Sequence, residues 1–232
     1  MLALCLLTSI TICGQCRYCK SYEDFLEDKW ESLDTVFCKE QSKGHAFMWG
    51  YSNITMKTGD KNLDKRINYS VFAVMQGKAL YVNSYNLRFE KLRFGKGFSK
   101  AARIGENDLL VVNKLVGKEA QNEQPGATGA AIVGGMLFGI AGAAIAGGIV
   151  AGVTANKQLK GKVCYLLTSG ADEKGRYDIT LFEDQMMDKL LLSRDLIDLH
   201  NAYYAEKDKN KRRLASRILP ILMEAGIIEA EE

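Results

Sequence analysis

The sequence predicts an α+β protein: an antiparallel β-rich domain interrupted by a Gly/Ala-rich helical hairpin, with a C-terminal helical tail. Three observations carry that expectation. Apolar and polar residues alternate between turn signals in residues 70–113 and again in 163–182. Apolar residues recur at helical spacing through residues 183–225. Residues 125–156 carry no charged side chain, and glycine or alanine returns there at every fourth position. The chain divides accordingly into a signal peptide (1–14), an N-terminal helix and β-rich domain (15–124), the uncharged segment (125–156), and returning strands with C-terminal helices (157–232).

Composition bounds the class. A length of 232 residues, 47% hydrophobic and 25% charged, is ordinary for a folded chain. The net charge of +3, from 31 basic and 28 acidic residues, gives no field strong enough to argue for a nucleic-acid partner.

Residues 2–12 are apolar apart from Thr8, Ser9 and Thr11, and they end in Cys13-Gly14-Gln15. This reads as the hydrophobic region and cleavage end of a secretory signal peptide, with the cut expected after Gly14. No Lys or Arg precedes the apolar run, so a start upstream of Met1 is expected; a short buried N-terminal helix is the alternative. Ile12 stands where a lipidated cysteine would need a small residue, which argues against a lipoprotein. Cys16, Cys19, Cys38 and Cys164 remain after cleavage, and an even number in an exported chain permits disulfides in any of three pairings. Cys16-x-x-Cys19 is not a cofactor motif: Lys20 replaces the histidine of a c-type haem site, and no second CxxC completes a zinc site.

Along the chain, Ser21 has the form of an N-cap, and Tyr22, Phe25, Leu26, Trp30 and Leu33 follow at helical spacing. Strands are expected near residues 46–51, 70–75, 79–85 and 109–113, with Gln76-Gly77-Lys78 as a tight hairpin loop and Gly95-Lys96-Gly97 as a turn or bulge. Strands resume at 163–168 and 177–182. Helices are expected over 183–192, over 194–207 with Ser193 as N-cap, and over 209–225, where Pro220 should kink or divide the helix and Gly226 should stop it. Sequential strands usually neighbour one another, so strands on both sides of the uncharged segment are expected in one sheet, which puts both ends of the segment on one side of any membrane.

Ala127, Ala131, Gly135, Gly139, Ala143, Gly147, Ala151 and Ala155 would form one strip of small residues along a helix. Small residues let helix backbones approach closely where lipid supplies no hydrophobic drive, so the helix-packing contacts are assigned to Ala131, Gly135, Gly139, Ala143, Gly147, Gly148 and Ala151. As one helix, residues 127–153 would be about 40 Å long against a hydrocarbon core of about 30 Å. Split at Gly134-Gly135 or Ala141-Gly142, they give two helices of about 20 Å, each too short to cross. The strongly apolar residues of the run contribute only about −3 to −5 kcal/mol to insertion. Helix packing must supply the remainder, which points to a hairpin or an oligomer. Lys157, Lys160 and Lys162 follow the segment while Lys118, Glu119 and Glu123 precede it, a bias that favours a single span with a cytoplasmic tail. The returning β pattern favours the hairpin, and a soluble packing element is the third reading.

Gly135-x-x-x-Gly139 and Gly148-x-x-x-Gly152 within an uncharged run resemble the glycine-zipper hairpins of Gram-negative envelope proteins, although this chain lacks a lipobox and its run is short for two spans. Ser21-Tyr-Glu-Asp-Phe25, Ala79-Leu-Tyr-Val-Asn83 and the helical tail resemble uncharacterised secreted proteins of anaerobic Gram-negative bacteria. The expectation is a non-enzymatic protein exported to the periplasm or cell envelope, associated with membrane lipid, homo-oligomeric and without a nucleic-acid partner.

No reactive constellation stands out. His45 and His200 have no partner at metal-ligand spacing, no G-x-S-x-G elbow occurs, and residues 95–100 lack the spacing of a phosphate loop, so no catalytic, metal or cofactor residue is assigned. Glu183, Asp184 and Asp188 cluster near a helix start, where the macrodipole favours them. Residues 207–213 are basic and read as a solvated helix face, or as a contact to anionic headgroups. Two rival functions are a hydrolase site built from Asn83, Asn86, Arg88 and Lys96, and a carbohydrate platform of Trp49, Tyr51, Tyr81 and Tyr85.

Overall fold

The computed structural model describes residues 16–34, 36–40, 54–116, 159 and 161–229. Strand β1 (Cys16–Cys19), helix α1 (Tyr22–Leu26) and strand β2 (Glu31–Leu33) open the domain. The Ser21 hydroxyl accepts from the Asp24 amide at 3.0 Å, as an N-cap should. The short amphipathic helix expected after Ser21 forms and ends at Leu26; Asp28 turns left-handed at φ 54, and Leu33, placed at helical spacing in the sequence, goes to a strand instead.

Strands β3 (Phe37–Glu40) and β4 (Ile54–Lys57) pair antiparallel, and helix α2 (Lys61–Ser70) follows in a stretch where no helix was expected. Its signal is the Asp60 carboxylate, which accepts from the amides of Asn62 at 2.7 Å and Leu63 at 3.1 Å. The expected strand at residues 46–51 lies outside the described residues. Strands β5 (Ala73–Gln76) and β6 (Ala79–Asn83) form the expected hairpin around Gly77, whose φ of 58 suits a tight turn. Short strands β7 (Leu87–Phe89) and β8 (Leu92–Arg93) come next, then β9 (Phe98–Ile104) and β10 (Asp108–Lys114). Beyond the Gly/Ala-rich segment stand β11 (Lys162–Leu167), β12 (Tyr177–Asp178) and β13 (Thr180–Leu181).

Among the described residues these strands make a 10-stranded sheet, whose main path runs β13-β11-β10-β9-β6-β5-β1-β2 with β4 joined to β9, and a 3-stranded sheet ordered β12-β7-β8. Neighbours in the large sheet are antiparallel, whereas β7 and β12 pair parallel. The expected strand at 177–182 is thus divided between two sheets.

The tail forms α3 (Asp184–Leu192), α4 (Ile197–Tyr204), α5 (Lys209–Arg212) and α6 (Ala215–Glu224). Ser193 sits at the C-terminal cap of α3, not at the N-cap of α4, because Asp195 adopts φ 57 between them. The final helix divides at Leu214, which bridges to Val163 of β11, and it runs through Pro220 without dividing there. Gly226, at φ 64, follows the helix end as expected.

Period-two alternation on β10 and β11 sends successive side chains to opposite faces, and both faces are covered. Leu109, Val111, Val163, Tyr165 and Leu167 enter an aromatic cluster with Phe25, Phe72, Phe89 and Phe94. Leu110, Val112, Cys164 and Leu166 pack against Met187, Leu191, Ile218 and Leu222 of the helical layer. A third cluster under α2 joins Tyr18, Met56, Ile67, Val74, Tyr81 and Phe98. The four cysteines of the described residues are thiols; Cys16, Cys19 and Cys164 are buried, and Cys38 donates to the Gln76 side-chain oxygen at 3.0 Å.

Buried polar groups are bonded across the strands. The Asn83 amide nitrogen donates to the carbonyls of Ile67, Asn68 and Val71, closing the C-terminal end of α2. The Ser84 and Ser99 hydroxyls lie 2.6 Å apart, and the Asn113 amide nitrogen donates to Ser99 at 2.6 Å.

Candidate functional site

The Gly/Ala-rich segment is rooted in the β10–β11 strand pair. The ladder runs in register from Leu109 opposite Leu167 to Lys114 opposite Lys162, and the segment leaves after Lys114 and returns before Lys162. Both of its ends therefore meet the domain at one end of one strand pair. The packing residues Ala131, Gly135, Gly139, Ala143, Gly147, Gly148 and Ala151 lie outside the described residues, as do residues 1–14, His45, Trp49 and Tyr51. Among the described residues no helix is long and apolar enough to cross a membrane.

The root is well packed. Leu115 and Val116 lie against the aromatic cluster, whereas Leu159 is buried in the helical-side cluster. The Tyr165 hydroxyl donates to the Lys114 carbonyl at 3.0 Å and accepts from the Val116 amide at 3.2 Å. Burial pushes the Tyr165 phenol above its ordinary value and the Lys114 ammonium below its own.

A second polar constellation lies in the helical layer. The Arg212 guanidinium grips the Asp184 carboxylate through two bonds of 3.0 and 2.6 Å, donates to the Glu206 carbonyl at 2.9 Å, and lies over the Tyr204 ring at 4.8 Å. Tyr203 donates to Asp184 at 2.8 Å, Tyr204 donates to Asp188 at 2.8 Å, and the His200 Nε2 lies 2.9 Å from the same Asp188 oxygen. Arg212 holds Asp184 below the ordinary carboxylate range against the opposing effect of burial, while burial and Asp188 push Tyr204 up to about 12. These groups bond one another and tie α3, α4 and α5 together, which makes them a brace. The macrodipole reading of Asp184 and Asp188 was incomplete, since the deciding partners lie on other helices. Residues 207–213 are likewise not a solvated basic face throughout, because Arg212 and Arg213 are 8% and 4% exposed.

The residues of the rival hydrolase do not converge. Asn83 is committed to the end of α2, Arg88 makes a two-bond pair with Asp178, and the Lys96 ammonium lies 5.2 Å over the Tyr69 ring. Asn83 and Asn86 do share a cavity with Lys20, Ser70, Phe72 and Tyr177, but its volume of about 20 Å³ is room for about one water. Of the carbohydrate platform, Tyr81 is buried in the cluster under α2, and Tyr85 meets Tyr69 at 85°, so those two rings present no flat stacking surface. Among the described residues no group of three or more His, Cys, Asp or Glu could hold a metal ion.

No curated protein and no solved structure matches the chain. Residues 17–228, which take in nearly all of the two-sheet domain together with the Gly/Ala-rich segment, match the model of the DUF6563 family, a family of unknown function, and the chain belongs to that family.

Proposed function

We propose that this is a non-enzymatic, exported protein of the cell envelope whose Gly/Ala-rich segment associates with membrane lipid as a helical hairpin and self-assembles through Ala131, Gly135, Gly139, Ala143, Gly147, Gly148 and Ala151. The observation that supports the hairpin over the single span is the β10–β11 ladder. One crossing of a bilayer would set β10 and β11 on opposite sides and separate strands whose faces are both buried. A hairpin leaves the ladder intact and keeps the folded domain on one side. Each arm is then too short to span alone, so it enters the membrane partway or is covered by other copies.

Membrane fractionation combined with protease protection in spheroplasts tests this reading. The processed protein should resist carbonate extraction, and residues 157–232 should be digested from outside. A protected tail would support the single span and overturn the hairpin; complete solubility would reduce the segment to a packing element. Self-assembly has its own test in detergent-resistant oligomers. Gly139→Leu and Gly147→Leu should each weaken them about tenfold, roughly 1.4 kcal/mol, and Ile145→Leu should not. Equal effects of all three would sink the zipper.

A further inference from the structure

We propose that Cys16 and Cys38 form a dithiol that a disulfide donor closes into a bond locking β1 to β3. The two thiols meet at one side chain. In the β1–β5 ladder Cys16 stands directly opposite Gln76, and directly opposed residues of an antiparallel pair share a face with Cβ atoms about 4.5–5.5 Å apart. The Gln76 Oε1 accepts from the Cys38 thiol at 3.0 Å, and its Nε2 donates to the Val36 carbonyl at 3.1 Å, which draws the start of β3 across the end of β5. Cys16 is buried in the cluster under α2, and Cys38 packs against that same cluster.

The other two described cysteines are placed apart from this pair. Side chains alternate along a strand, so Cys19, at an odd spacing from Cys16, points to the opposite face and enters the aromatic cluster. The Cys16-x-x-Cys19 spacing therefore does not close on itself. Cys164 lies in the helical-side cluster. Burial pushes the Cys19 thiol up to about 12 and raises Cys164 as well, which keeps both unreactive. Cys38 is the partly exposed member of the pair and Cys16 is 2% exposed, so the donor meets Cys38 first. The Cys38 thiolate attacks the donor disulfide and forms a mixed disulfide, and the expelled donor thiolate takes up the Cys38 proton. The Cys16 thiolate then attacks the Cys38 sulfur. The second donor thiolate leaves with the Cys16 proton, so the donor is reduced to two thiols as the protein dithiol is oxidised. Gln76 loses its bond from the Cys38 thiol in this step and keeps the one to Val36.

The test uses the full chain with Cys5→Ser and Cys13→Ser, which leaves Cys16, Cys19, Cys38 and Cys164. Oxidised glutathione is the donor, and the remaining thiols are then alkylated in denaturant. Trypsin cuts after Arg17, Lys20 and Lys39, so Cys16, Cys19 and Cys38 leave on separate peptides. The expected product joins the Cys16 and Cys38 peptides, with Cys19 and Cys164 alkylated. A bond through Cys19 or Cys164, a glutathione adduct left on Cys38, or alkylation of all these thiols overturns the proposal. Closing residues 16–38 into a loop should also lower the unfolding constant in urea about a hundredfold. Cys38→Ser should show no shift with the same donor. An unshifted oxidised chain, or an equal shift in Cys38→Ser, overturns the lock between β1 and β3. The reaction is run on the purified chain, so its outcome is independent of the membrane reading above.

Discussion

The two faces of the β10–β11 pair are filled by different means. On one, rings from distant parts of the chain meet at steep angles: Tyr22 and Phe72 at 82°, Phe94 and Tyr165 at 76°. Hydroxyls there end on backbone carbonyls, Tyr22 on Asn107 and Tyr165 on Lys114, so each ring also fixes a loop or a strand end. The other face is covered mainly by the stretch from Phe182 to Ile228, joined by Leu159, with mostly aliphatic contacts and the rings of Phe182 and Tyr203 inside and the Arg212–Asp184 pair at the rim. The first arrangement depends on contacts across long sequence separations and the second on local helices, so the helical layer can loosen as a unit while the aromatic core holds.

Core truncations probe that contrast most strongly. Phe94→Ala, at a ring 1% exposed, should cost about 3–5 kcal/mol in chemical denaturation and should loosen β10 and β11 together. Leu222→Ala, wholly buried in the helical layer, should cost about 2–5 kcal/mol, with exchange rising first in α3, α4 and α6. Exchange rising uniformly in both variants would show one cooperative unit and erase the distinction.

Acid should act on the helical face. The folded state lowers the Asp184 pKa, so its stabilising contribution is present above the unfolded value of about 3.9 and is lost as pH falls through the lower folded value. The melting temperature should drop more steeply below about pH 4 in the unmodified chain than in Asp184→Asn. Parallel curves would remove Asp184 from the acid response. Arg212→Ala leaves that carboxylate without its main partner and should cost about 1–3 kcal/mol at neutral pH. The smallest effect is expected from Gly226→Ala: its Cβ would meet nothing within 4 Å, so only the left-handed backbone resists, by about 1 kcal/mol in thermal melts.

The same contrast decides what could be read from residues alone. Helix α3 and strands β10 and β11 follow from local periodicity, and the Gly77 hairpin and the Gly226 stop follow from turn chemistry. What was missed depends on partners far along the chain. Residues 31–33 continue a helical pattern but pair with β1, and Leu214 breaks a helical pattern to bridge Val163. Residues 177–178 join a parallel partner, β7, that no local signal announces. Helix α2 was legible in principle, through Asp60 and the Leu63–Ile67 spacing, but its polar composition hid it. At the root, alternation marks Tyr165 as a core residue, yet its hydroxyl partners come from a strand on the far side of the Gly/Ala-rich segment.

To the sheet, everything between Lys114 and Lys162 is a single loop whose ends are already fixed. The entropy of closing such a loop grows only logarithmically, about 0.6 kcal/mol for each doubling of its length. A segment half or twice as long would thus cost the domain almost the same. The domain itself therefore sets only a weak limit on the length of the segment it carries.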